Sequence, residues 1–251
     1  MERIIDFHTY VGQPLFGYAS TPDQLRESME ETGVVRSVIC PVKTTNSFFE
    51  SQNLYIAMLQ QKHPDSFVGF ARVDPHLGDF SLNLLRRCVE DYGLRGLLLH
   101  PWEETFAIND EKVFPLLALC RELGIPVMVE AGYPWLSHCF QIGDLAGRFP
   151  EVPIVMTGGG QMDSAGFTAA DVDFIMDKHS NLIIGTGGEF SDESIENKPV
   201  RLGPGRVLFG SHYPYLNAKL EIYRVQRATL TDAQRQDIFS GTACKLLGLE
   251  V

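Results

Sequence analysis

The stretch IIDFHTY near the start of the chain sets Asp6, His8 and Tyr10 at alternating positions. In an extended strand such residues share one face. An acid, an imidazole and a phenol together can pass a proton, and His8 is also a potential metal ligand. Other polar residues close apolar runs further along. Arg72 follows SFVGFA, His100 follows GLLL, Glu130 follows IPVMV and Thr157 follows PIVM. Glu189 follows LIIGTGG, and Ser211 and His212 follow VLFG. A carboxylate placed like Glu130 is expensive to bury without a partner. Asp6, between Ile5 and Phe7, needs a donor for the same reason. Elsewhere plainer readings apply. Asp74 before Pro75 reads as a turn or helix cap. Lys43 reads as ending in solvent, and His63, His76, His138 and His179 as surface residues.

These groups come from widely separated strand ends, so the elements around them must converge. Short β-rich runs alternate with longer helical ones along the whole chain. TPDQLRESMEETG has Thr21 as N-cap, Pro22 at the first helical position and Gly33 as its stop. In DFSLNLLRRCVEDYG, the residues Phe80, Leu84, Leu85, Cys88 and Val89 fall on one helical face. Only 191–205 resists, because Pro199 and Pro204 argue against a helix there. Eight strand candidates emerge, several of them continuously apolar as parallel strands covered on both faces are. Eight β/α units in 251 residues predict a single-domain (β/α)8 TIM barrel over 1–251. A doubly wound sheet would show a glycine-rich phosphate loop after its first strand, where this chain has DFHTYVGQP. In a barrel, chemistry sits at the C-terminal ends of the strands, where the polar residues above lie.

The bulk properties bound the partners. A net charge of −11 argues against nucleic acid and anionic membranes and leaves a small-molecule substrate. The five cysteines are widely spaced and form no C-x-x-C pair, which suits buried thiols in a reducing compartment. No signal peptide or spanning apolar stretch is seen, so a cytoplasmic location is expected.

In order and spacing, IIDFHTY, HPDSFVGFARVDPH, GLRGLLLHP, LGIPVMVEAG, IVMTGGG and RVLFGSHYP resemble the amidohydrolase-related (amidohydrolase 2) branch of the metal-dependent hydrolase superfamily. The resemblance spans nearly the whole chain. It implies a barrel with one divalent metal at its mouth and members that often dimerise. It also implies either hydrolysis of amides, esters or lactones, or decarboxylation of aromatic or unsaturated acids. The family's usual site has an H-x-H pair on strand one, a His on each of strands five and six, and an Asp on strand eight. Here His8 matches the first His. Tyr10 stands at the second, Glu130 at the strand-five His, Thr157 at the strand-six His and His212 at the Asp.

The resemblance then implies an altered metal set of His8, Glu130 and His212 with zinc as the expected ion, since two histidines and a glutamate form a catalytic zinc set. Metal-activated water would make the protein a hydrolase, with His212, Glu130 and Asp6 as catalytic residues and Tyr10 or Glu189 as further proton partners. Tyr10, His100, Thr157 and Arg72 are the substrate-binding candidates. Arg72, Lys43 and His100 would suit a carboxylate-bearing substrate, and loop aromatics such as Trp102, Tyr133 and Trp135 would form an apolar rim or simply pack the loops. Three alternatives stand beside this reading: a decarboxylase, a metal-free acid–base enzyme using the same mouth, and a non-catalytic binding barrel.

Overall fold

The computed structural model describes residues 3–45, 47–160, 169–188 and 191–250. The strands are β1 (Ile4–Val11), β2 (Val34–Pro41), β3 (Phe67–Gly69), β4 (Ala71–Arg72), β5 (Leu97–Leu99), β6 (Val127–Val129), β7 (Ile154–Met156), β8 (Leu182–Gly185) and β9 (Val207–Leu208). All neighbouring pairs are parallel. β3 and β4 are one stave that changes partner at Phe70: the Phe70 N–H donates to Ile39 O at 3.1 Å, and that of Ala71 to Gly96 O at 2.8 Å. The circle closes where Phe7 N–H donates to Phe209 O at 3.0 Å and Tyr10 N–H to Tyr213 O at 2.8 Å. The eight expected staves are therefore present, in a TIM barrel.

Helices α1 (Pro22–Thr32), α2 (Glu50–Lys62), α3 (Asp79–Glu90), α4 (Pro101–Glu104), α5 (Phe114–Leu123), α6 (Cys139–Arg148), α7 (Ala169–Lys178), α8 (Asp192–Leu202), α9 (Ala218–Arg227), α10 (Asp232–Gln236) and α11 (Thr242–Leu247) surround or cap the sheet. α1 begins with the expected N-cap Thr21, which forms a capping box with Gln24, and ends at left-handed Gly33. On α3, Leu84, Leu85 and Cys88 are buried as expected, but Phe80 lies exposed against Phe48. α8 corrects the expectation for 191–205. It starts on the Ser191 cap and carries Pro199 in its last turns, where the Gly203 N–H returns to Pro199 O at 3.2 Å. A proline so close to the end removes one internal bond and leaves the turns before it intact.

Two apolar layers hold the barrel. The larger lies between staves and helices. The inner one includes Ile5, Phe7, Phe70, Leu98, Met128 and Val155, joined by Ala243, Cys244 and Leu247 of α11. Because Arg95, just before β5, donates to Leu247 O, α11 stops the barrel at the strands' N-terminal end. The opposite end is left for the polar residues. Among the described residues, no helix is long and apolar enough to cross a membrane.

Candidate functional site

The site is built around Glu130, immediately after β6 and 3 % exposed. His8 Nε2 donates to its Oε1 at 2.7 Å, and the Tyr10 hydroxyl donates to the same oxygen. Thr157, just beyond β7, donates to Oε2 at 2.8 Å and accepts the Ala131 N–H at 3.1 Å. Burial alone would push the Glu130 carboxyl up. The His8 imidazole and its hydrogen bond outweigh burial and hold it well below the usual carboxylate range. Tyr10 moves the opposite way, its phenol pushed far up by burial and by the neighbouring Glu130 charge.

His212 lies against this cluster. Its ring stacks on that of His8, with centroids 4.4 Å apart and planes 18° from parallel. Its Nε2 is 4.0 Å from Glu130 Oε1, and its side chain is 29 % exposed, against 4 % for His8 and Glu130. His212 is thus the group that opens to the mouth. The His212 N–H donates to His8 O at 2.9 Å, and His212 O accepts from Tyr215 N at 2.9 Å. These bonds fix a residue whose φ is 58°, in the left-handed region. Burial and the nearby His8 lower its ring pKa to about 4, so it is neutral with a free lone pair. Gly210 permits the close approach of the two segments, since a Cβ there would meet His8 Cβ at 2.9 Å.

One atom from each of His8, Glu130 and His212 lies within 4.8 Å of the others. Two imidazoles and one carboxylate at that spacing fit a divalent cation. The ion would replace the proton that His8 now shares with Glu130. The three expected ligands are therefore brought together.

The remaining candidates divide. Asp6 does not share the inward row with His8 and Tyr10, as strict alternation predicts. A bulge in β1, where Asp6 pairs with Ser37 but Thr9 with Ile39, turns His8 and Tyr10 inward after Phe7. Asp6 Oδ1 instead accepts the N–H groups of Ser211 at 2.8 Å and His8 at 3.2 Å, tying the two site segments together from behind. Burial raises its pKa to about 6. Glu189 lies outside the described residues.

Arg72 is fully buried and committed to protein acceptors. It donates to Glu104 at 2.8 and 3.3 Å, to Pro41 O at 3.2 Å, and to Glu103. Its guanidinium also lies 4.9 Å from the Phe49 ring centroid. It is not a free anchor for a substrate. Nor does Lys43 end in solvent, for its Nζ is 3.2 Å from Glu104 Oε1. Glu103 and Glu104, not among the residues the sequence singles out, organise this network. The available signal was an acidic pair right after a strand-ending HPW, opposite a lone arginine ending an apolar run.

His100 caps α4: its Nδ1 accepts the Glu103 N–H at 3.3 Å. Burial and the Arg72 charge lower its pKa to about 4. Beside it, Trp102 and Tyr133 stack with centroids 5.2 Å apart and planes 10° from parallel. Of the plainer readings, Asp74 does cap the turn after it, accepting His76 N–H at 3.0 Å. His138 is a half-buried N-cap of α6 rather than a free surface group.

Comparison with known proteins agrees with this architecture. The family model described as Amidohydrolase matches residues 5–249. A 2-amino-3-carboxymuconate-6-semialdehyde decarboxylase from Dictyostelium discoideum is 21 % identical over 237 residues, covering 79 % of this chain and 66 % of that protein. The chain thus spans just under two thirds of that relative. A 5-carboxyvanillate decarboxylase from Sphingomonas paucimobilis superposes with a TM-score of 0.81 at 13 % identity, covering 100 % of both chains. A dihydroxybenzoic acid decarboxylase from a Polaromonas species, solved with manganese and the inhibitor 2-nitroresorcinol, superposes with a TM-score of 0.77 at 15 % identity, covering 99 % of this chain and 97 % of that one.

Proposed function

The chain belongs to the amidohydrolase family, and we propose that it is a divalent-metal-dependent decarboxylase of small aromatic or unsaturated carboxylic acids. The observation that carries this reading is the state of Glu130. Its two oxygens take hydrogen bonds from His8, Tyr10 and Thr157, and its pKa is held low. Such a carboxylate is a poor acceptor for a proton from water. The mouth instead offers a protonated donor, the N–H of a neutral His100. A site whose carboxylate is already committed and whose neighbouring imidazole carries an N–H suits protonation of a carbon better than activation of water. In the proposed reaction the bond from carbon to the carboxylate breaks, its electron pair stays on the unsaturated skeleton, a proton joins that carbon and carbon dioxide leaves. The named substrates of the decarboxylases above are acids of this class.

His8, Glu130 and His212 would hold the ion, which supplies a positive charge to bind and polarise substrate oxygens. That charge matters because the Arg72 and Lys43 cations are already paired with Glu103 and Glu104. Zinc suits the donor set; manganese is the ion bound in one relative.

The test is carbon dioxide release from 2,6-dihydroxybenzoate, 5-carboxyvanillate and 2-amino-3-carboxymuconate-6-semialdehyde by protein reconstituted with zinc or manganese. Turnover that a chelator abolishes and either ion restores is the expected result. Ester or lactone opening without carbon dioxide release would return the protein to the hydrolases. The existing hydrogen-bond satisfaction of Glu130 also favours a second reading, a metal-free acid–base site, whose signature is turnover that no chelator touches.

A further inference from the structure

His100 is held in one protonation form by the helix it begins. Its Nδ1 accepts the Glu103 N–H, so in the neutral ring the proton sits on Nε2. The obvious partner for that N–H is the Glu103 carboxylate, three residues along the same turn. It stays out of reach. Glu103 Oε2 is 3.8 Å from His100 Nε2, beyond hydrogen-bond range, because that oxygen is taken by the Arg72 guanidinium. Arg72 itself cannot turn away, being fixed by Glu104, Pro41 O and the Phe49 ring. Among the described residues, the ion pair thus leaves a buried imidazole with an N–H that no protein acceptor takes. Beside it stands the flat Trp102–Tyr133 stack, with Tyr133 tilted 36° to the His100 ring at 6.3 Å.

We propose that His100 is a substrate-binding residue whose Nε2–H donates to an sp² oxygen of the substrate, a phenolate, carbonyl or carboxylate oxygen on a planar skeleton lying along Trp102 and Tyr133. Arg72 and Glu103 are positioning residues in this arrangement: they keep the donor uncommitted. The assignment rests on the decarboxylase reading for the identity of the substrate, but not for the form of the ring. It gives the paired arginine a purpose that a surface ion pair would lack. The same three-residue turn that ends a stave, His100, Pro101 and Trp102, then carries both the polar and the flat contact for one ligand.

The experiment has two arms on the metal-reconstituted protein. In the first, kcat and KM for 2,6-dihydroxybenzoate are measured for the parent, H100F and H100Q, with metal content determined for each. The expected result is a fall in kcat/KM of tenfold or more in H100F at unchanged metal content, with partial recovery in H100Q, which restores a donor. A change within twofold in H100F, with the parent active, overturns the proposal and leaves the decarboxylase reading standing. In the second arm, long-range nitrogen–proton NMR reports the His100 tautomer and its response to 2,6-dihydroxybenzoate. A neutral Nε2–H form whose signal moves on titration supports the proposal even if no acid is turned over, in which case only the decarboxylase reading fails. An Nδ1–H form, or an Nε2–H signal unmoved by the acid, overturns the proposal.

Discussion

His212 sits at φ 58° in the left-handed region, where a non-glycine side chain costs about 1–2 kcal/mol. That cost is carried at the most exposed of the three candidate metal ligands, so stability and chemistry conflict there. Asparagine tolerates the conformation better. H212N is therefore expected to melt within a degree or two of the parent, or above it, while losing stoichiometric metal; calorimetry and elemental analysis read the two effects. His100 makes a separate prediction. Its folded pKa is about 4, against an ordinary 6.5, because burial and Arg72 disfavour the charged ring. Between those values the unfolded chain binds more protons than the folded one, so stability rises with pH across that window. It is complete above pH 6.5 and lost towards pH 4. The contribution is up to about 3 kcal/mol at 1.36 kcal/mol per unit. H100F should flatten the stability profile from pH 4.5 to 6.5, as measured by urea denaturation. At this scale the sequence was partly legible. His8, Glu130 and His212 could be picked out because each interrupts or ends an apolar run. The true surroundings of Asp6 could not, because a one-residue bulge in β1 shifts every later side chain to the other face, and a bulge leaves no mark in an alternating pattern.

At the scale of elements, α4 is the surprise. Four residues long, it was invisible to any periodicity argument. It is held by charge rather than apolar packing, with Glu104 buried against Arg72 and Lys43, and Glu103 against Arg72. Removing one partner of such a buried set leaves carboxylates without compensation, at about 3–5 kcal/mol. R72M should lose stability of that order in urea denaturation. A triple variant R72M/E103Q/E104Q should regain part of it, since the buried charge is then gone. Failure of the triple to regain any would mean that Arg72 stabilises through its contact with Phe49 instead. The long helices were easier to anticipate. α1 carries its cap, first-turn proline and terminal glycine in plain sequence, whereas the half-buried Lys43 and Glu103 and the buried Arg72 and Glu104 are scattered over three strand ends whose adjacency only the closed barrel creates.

Across the whole molecule, the apolar staves and the spacing of β/α units made the barrel readable, because a parallel strand covered on both faces must be apolar throughout. The net charge of −11 acts at this scale too. An anionic acid approaches against a repulsive field that salt screens over about 10 Å at 0.1 M. Raising ionic strength with an inert salt should therefore increase kcat/KM for 2,6-dihydroxybenzoate, by up to a fewfold, through KM. An uncharged competitive ligand should show no such trend. A fall with salt would instead place a local positive field at the mouth strong enough to dominate the total charge.

The clasp between Asp6 and Ser211 has a consequence in time. The two residues are 205 positions apart, and the bond between them ties the first stave to the segment after the last. In order of synthesis His8 precedes His212 by 204 positions. A nascent chain, or one truncated before the ninth strand, holds His8 and Glu130 without His212 and with an open seam beside β1. A ligand that needs His8, Glu130 and His212 together therefore finds its full set only once β9 and the segment after it have joined the barrel.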